Sequence, residues 1–66
     1  MDISVNGKVQ QIEAGTTIAQ LLENLALAPE RVAVEHNRDI VTSEQFATTT
    51  LTAGDTLEIV QFVGGG

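Results

Sequence analysis

A two-layer α+β domain, with one main helix laid across a mixed sheet of four to five strands, is what this sequence of 66 residues predicts. Three observations lead there. Asn6-Gly7, between residues that alternate in polarity, is a strong hairpin signal. Ile18, Leu21, Leu22 and Leu25 fall at helical spacing. Alternation then returns over Arg31–Glu35 and again over Thr56–Val63.

In chain order, Ile3 and Val5 alternate with Asp2, Ser4 and Asn6, which predicts a first strand ending at the Asn6-Gly7 turn. A strict two-residue loop would set Val5 opposite Lys8, so we expect a three-residue loop or bulge that aligns Val5 with Val9 instead. Ile12 falls out of phase with that second strand. Glu13-Ala14-Gly15 is a turn, and Thr17 with Gln20 three residues on fits a capping box at the start of the helix. Gln20, Glu23 and Asn24 take the side opposite the apolar stripe, and Pro29 is expected to stop the helix.

Val32 and Val34 share a face of the third strand, and a polar turn, His36-Asn37-Arg38-Asp39, leads to Ile40-Val41, a candidate fourth. Thr42 to Phe46 has room for one helical turn, with Phe46 as an apolar plug, and Thr48-Thr49-Thr50 reads as loop. The last strand places Leu57 and Ile59 on one face and Glu58, Val60 and Phe62 on the other. Because both faces are partly apolar, Val60 and Phe62 either complete the core or mark a partner site beside the chain end.

Composition narrows the function. A chain this short buries only about 60% of the surface its unfolded form exposes, which leaves room for one core and no second domain. Nine acidic residues against Lys8, Arg31 and Arg38 give a net charge of −6, so nucleic acid and anionic membrane surfaces are disfavoured as partners and basic protein faces are favoured. With no cysteine there is neither a disulfide nor a thiol on which to carry sulfur. His36 stands alone, without a spaced carboxylate cluster for a metal or a nucleophile for catalysis, and is expected to be an exposed turn residue. Asp55 reads as a local turn residue. No targeting segment or membrane span is expected, and the predicted location is cytoplasmic.

The chemistry that remains lies at the end, where Val63 runs into Gly64-Gly65-Gly66. Glycines add nothing to a packed strand but can thread a gap too narrow for side chains. A terminal carboxylate is ionised at neutral pH and a poor electrophile, so a partner must activate it with ATP. At full extension three residues reach only about 10 Å, so that partner has to dock on the folded body. The expected organisation is a domain over residues 1–63 and a flexible glycine tail over 64–66, with no cofactor.

Several fragments in this order resemble one family. They are Asn6-Gly7, Gly15-Thr16-Thr17 before Ile18-x-x-Leu21-Leu22, Val34-x-x-Asn37-x-x-x-Val41, Leu51-x-x-Gly54-Asp55-x-Leu57-x-Ile59, and the closing glycines. Together they resemble the ubiquitin-like sulfur carriers of the thiamine pathway, the ThiS family. The resemblance implies a β-grasp fold and a non-catalytic carrier. Its Gly66 is adenylated by an activating enzyme, receives sulfur from a donor system as a thiocarboxylate, and passes it to thiazole synthase. It further implies that Gly64 and Gly65 thread the partner's channel; Val60, Phe62 and Val63 are the candidates for the docking rim, and Glu58 beside them is the acidic residue placed to meet a basic partner. The chain departs from the family in its third glycine and in Thr42-Ser43, where a basic residue is often found. The small subunit of molybdopterin synthase, a sulfur carrier of another pathway and a ubiquitin-like protein modifier share enough of the pattern to stand as alternatives.

Overall fold

Alternation and helical spacing become five strands and one α-helix in the computed structural model, which describes residues 1–62. Strands β1 (Asp2–Val5), β2 (Lys8–Gln11), β3 (Val32–His36), β4 (Asp39–Val41) and β5 (Thr56–Gln61) form one sheet in the order β2-β1-β5-β3-β4. β1 and β5 run parallel and the other pairs antiparallel, so the sheet is mixed and its last strand lies in the middle. With helix α1 (Ile18–Asn24) against one face, this is the β-grasp arrangement.

The first hairpin differs from expectation. Val5 pairs with Lys8, not Val9, across a strict two-residue loop. The reason is local: Asn6 (φ 51°) and Gly7 (φ 81°) both take the left-handed conformation, and two such residues close a turn whose twist matches that of the strands, with no bulge needed. Val9 is therefore set opposite Ser4, on the face away from the helix. Ile12 is then in phase with the core: its amide donates to the Met1 carbonyl at 2.9 Å, and its side chain packs against the buried cluster.

Helix α1 opens with the expected capping box. The Gln20 amide donates to Thr17 Oγ1 at 3.2 Å, and the Thr17 amide donates to Gln20 Oε1 at 3.0 Å. Ile18, Leu21 and Leu22 are fully buried, which stabilises the fold by about 1.5–3 kcal/mol per side chain. Pro29 does not end this helix. The chain leaves it after Asn24 through paired bonds, Ala26 N–H to Glu23 C=O at 3.0 Å and Leu27 N–H to Leu22 C=O at 2.9 Å, with Ala26 left-handed at φ 59°. Pro29 instead opens a short 3₁₀ turn, Pro29–Arg31. Alanine at a position that favours glycine is strained, so Ala26→Gly is expected to stabilise the protein by about 0.5–1 kcal/mol, read as a raised denaturant midpoint at unchanged slope.

A second 3₁₀ turn, Ser43–Gln45, delivers Phe46 to the core, where it is buried as the apolar plug expected. The same loop closes on the helix start: Ile18 N–H donates to Thr49 C=O, Ala19 N–H to Phe46 C=O and Leu51 N–H to Thr16 C=O. The core so enclosed comprises Ile3, Val5, Ile18, Leu21, Leu22, Val32, Val34, Phe46, Leu51, Leu57 and Ile59.

Candidate functional site

The sheet has one covered face and one open face, and strand alternation decides what each presents. On β5, Leu57 and Ile59 turn to the helix and are buried, whereas Val60 and Phe62 are 60% and 57% exposed, which excludes them from the core. Across the antiparallel pairing, Val60 lies opposite Ala33 and Glu58 opposite Glu35, and Ile40 on β4 lies opposite Glu35. Phe62 follows the strand, its amide donating to the Arg31 carbonyl at 2.8 Å. Val9, Ile40, Val60 and Phe62 are the exposed large hydrophobic residues among those described, and register and alternation put all four on the open face. Ala33, Val60 and Phe62 are neighbours there, Ile40 lies one strand further out beside Glu35, and Val9 stands apart on the far edge strand.

Of the expected site residues, Glu58, Val60 and Phe62 thus share one exposed face. Val63, Gly64, Gly65 and Gly66 lie outside the described residues, as does the boundary between domain and tail. Sequence reasoning missed Ala33, Glu35 and Ile40, which join this face only through the pairing of β3 with β4 and β5.

β5 is held by a side chain that continues the sheet after β1 has ended. The Ile59 amide donates to Asn6 Oδ1 at 2.7 Å, and Asn6 Nδ2 donates to the Ile59 carbonyl at 3.0 Å. The left-handed turn residue thereby acts as one more rung between β1 and β5. Only the open face, and not the backbone beneath it, is left to a partner along this stretch.

At the other end of β5 is a polar cluster. His36 is not an exposed turn residue: it closes β3, is half-buried and lies with Nε2 2.7 Å from Asp55 Oδ2. Asp55 also accepts from the Thr52 amide at 2.8 Å, Thr52 Oγ1 at 2.9 Å and Asn37 Nδ2 at 3.1 Å, while Asn37 Oδ1 accepts from the Thr56 amide at 2.8 Å. Burial pushes the Asp55 carboxyl up, but the bonds from His36, Thr52 and Asn37 outweigh it and hold the group well below the usual carboxylate range. Every acceptor position is occupied with structural donors, so the cluster fastens the start of β5 to the β3–β4 turn. Among the described residues there is no group of three metal-ligating side chains and no pocket.

A family model matches residues 3–66, described as the ThiS family. The chain belongs to the ThiS family. Its relatives include the sulfur carrier protein ThiS of Bacillus subtilis, 38% identical over 65 residues that cover 97% of this chain and 98% of that protein. A thiazole synthase of Magnetococcus marinus is 44% identical over all 66 residues, and the chain spans 20% of that protein's length. The crystal structure of ThiS from Geobacter metallireducens superimposes with a TM-score of 0.84 at 36% identity, covering 100% of both chains. The ubiquitin-like β-grasp fold of the family is therefore this chain's fold.

Proposed function

We propose that this chain is the sulfur carrier for thiazole formation in thiamine biosynthesis, docking through the open face of its sheet and carrying sulfur on the Gly66 carboxyl group. The observation that supports this most is the exposed apolar set on the open face, with Val60 and Phe62 along the strand that leads into the glycines and Ala33 and Ile40 on the two strands beyond it, in a chain whose family match runs through residue 66. Relatives of matching length are named sulfur carriers, and others are named thiazole synthases, which fits a role between sulfur supply and thiazole synthase.

In this reading the chain is a protein substrate and not a catalyst. The activating enzyme binds the open face, and Gly64 and Gly65 thread its channel. A Gly66 carboxylate oxygen attacks the α-phosphorus of ATP, pyrophosphate leaves, and a mixed anhydride with AMP remains. A sulfide-level sulfur nucleophile (hydrosulfide) released by the donor system then attacks the carbonyl carbon, forming the C–S bond as the C–O bond to AMP breaks and AMP leaves. The resulting thiocarboxylate delivers its sulfur to thiazole synthase. Residues 1–63 serve as the docking body and 64–66 as the tail. An ATP-dependent cycle of this kind belongs in the cytoplasm, and no helix among the described residues is long and apolar enough to cross a membrane.

The deciding experiment is intact mass after incubation with extract of the source cell, ATP and a sulfur donor. A gain equal to one oxygen-to-sulfur exchange is the expected result. Lysine-linked conjugates instead would make the chain a modifier, and an unchanged chain would overturn the carrier reading.

The docking face has its own test. Phe62→Asp is expected to weaken binding to the activating enzyme by about 2 kcal/mol, roughly thirtyfold. Folding stability should change by no more than about 0.5 kcal/mol, because the ring is exposed. A variant that fails to fold would show that Phe62 carries packing weight.

A further inference from the structure

Within the open face two carboxylates are paired without a counter-charge. Glu35 and Glu58 are directly opposite each other on β3 and β5, and both are exposed. Like charges in that relation are destabilising. Among the described residues the only ion pair is His36–Asp55, so neither Glu35 nor Glu58 has a basic partner within them. On either side the pair is bordered by apolar groups: Ile40 lies across from Glu35, and the Ala33–Val60 pair is the next on the same face. A purely solvated face gains nothing from this arrangement, whereas a face that receives a cation set in apolar surroundings does.

We propose that Glu35 and Glu58 together accept one arginine side chain from the activating enzyme, with Ile40 and Val60 receiving the apolar surface around it. This rests on the docking reading above and adds the partner's chemistry to it. A guanidinium suits the site better than an ammonium. Its planar fork can donate to two carboxylates at once, and its weak hydration lets it lie against apolar groups at low desolvation cost. The net charge of −6 draws a basic partner from a distance, and the pair fixes where its cation lands. Because the two carboxylates and Val60 belong to adjacent strands of a rigid sheet, the same contact sets the direction in which the chain end leaves toward the partner's active site.

The test uses the activating enzyme retained from source-cell extract on immobilised full-length chain, with carrier-dependent exchange of pyrophosphate into ATP as the assay. Glu35→Gln, Glu58→Gln and the double variant are compared with Phe62→Asp at low and high salt. Each glutamine variant is expected to raise KM for the carrier about tenfold at unchanged kcat, and the double variant is expected to show a markedly weaker salt dependence of KM than the natural chain, the remainder coming from its other acidic residues. The natural chain should protect one partner arginine from phenylglyoxal, and the double variant should not. Glutamine variants with natural KM and salt dependence, while Phe62→Asp still raises KM, would overturn the arginine contact and leave the docking face standing. If Phe62→Asp is also without effect, the docking reading fails and the inference with it. Protection of a partner lysine from an amine-selective acylating reagent, with no arginine protected from phenylglyoxal, would overturn the guanidinium assignment.

Discussion

Deleting Gly66 is expected to abolish the oxygen-to-sulfur mass gain completely while leaving the thermal midpoint and circular dichroism spectrum of the chain unchanged. Among the described residues the core closes with Ile59, and the burial and hydrogen bonds described through Phe62 N–H to Arg31 C=O are expected to hold the fold without the final residue. The chemistry needs it. On the proposed cycle, shortening the chain by one residue withdraws the carboxylate by about 3.5 Å, enough to take it out of line with the α-phosphorus of an ATP held by the activating enzyme. On the same proposal Gly65→Leu should fail for a second reason, since a channel that admits only backbone would exclude its side chain. A Gly66 deletion that still gains sulfur would sink the tail mechanism and leave the fold untouched.

Asp55→Ala is expected to cost about 2–4 kcal/mol, because it strands donors from Thr52, Asn37 and His36 that are committed to one buried carboxylate. A domain of this size has only about 3–10 kcal/mol in total, so the variant should be partly unfolded at 37 °C. The pH dependence has a definite sign. The folded carboxyl lies well below the unfolded value of about 3.9, so the unfolded chain takes up the proton first as pH falls. The contribution of Asp55 is fully present at neutral pH, begins to fade near about pH 5, and is lost progressively as pH falls towards the folded value. Urea midpoints measured between neutral and strongly acid pH should show this limb in the natural chain, and Asp55→Asn should flatten it. An unchanged acid limb in Asp55→Asn would assign the loss to other carboxylates.

Period-two alternation in Thr56–Gln61 was enough to separate Leu57 and Ile59 from Glu58 and Val60, because side-chain direction along a strand is a local property. What local pattern could not supply was the neighbour across the sheet. Glu35 and Ile40 sit on the candidate face because β3 pairs with a strand far along the chain, and nothing within either segment specifies that register. The hairpin shows the opposite failure. Asn6-Gly7 already contained the answer, since both residues tolerate positive φ, but matching Val5 to Val9 by hydropathy overrode turn geometry. His36 differs for another reason: the polar run His36-Asn37-Arg38-Asp39 reads as turn throughout, but Asn37 (φ 51°) and Arg38 (φ 74°) make the turn by themselves and leave His36 at the end of β3, within reach of Asp55.

The central place of β5 also has a mechanical meaning. On the proposed docking, a partner that threads the end of the chain pulls along this strand, which is paired with β3 from Leu57 to Gln61 and tied to β1 and Asn6 over its first four residues. Such a pull loads those hydrogen bonds in shear, all at once, whereas an edge strand peeled sideways would yield one bond at a time. A central strand so held resists tension at its end better than an edge strand in the same sheet would.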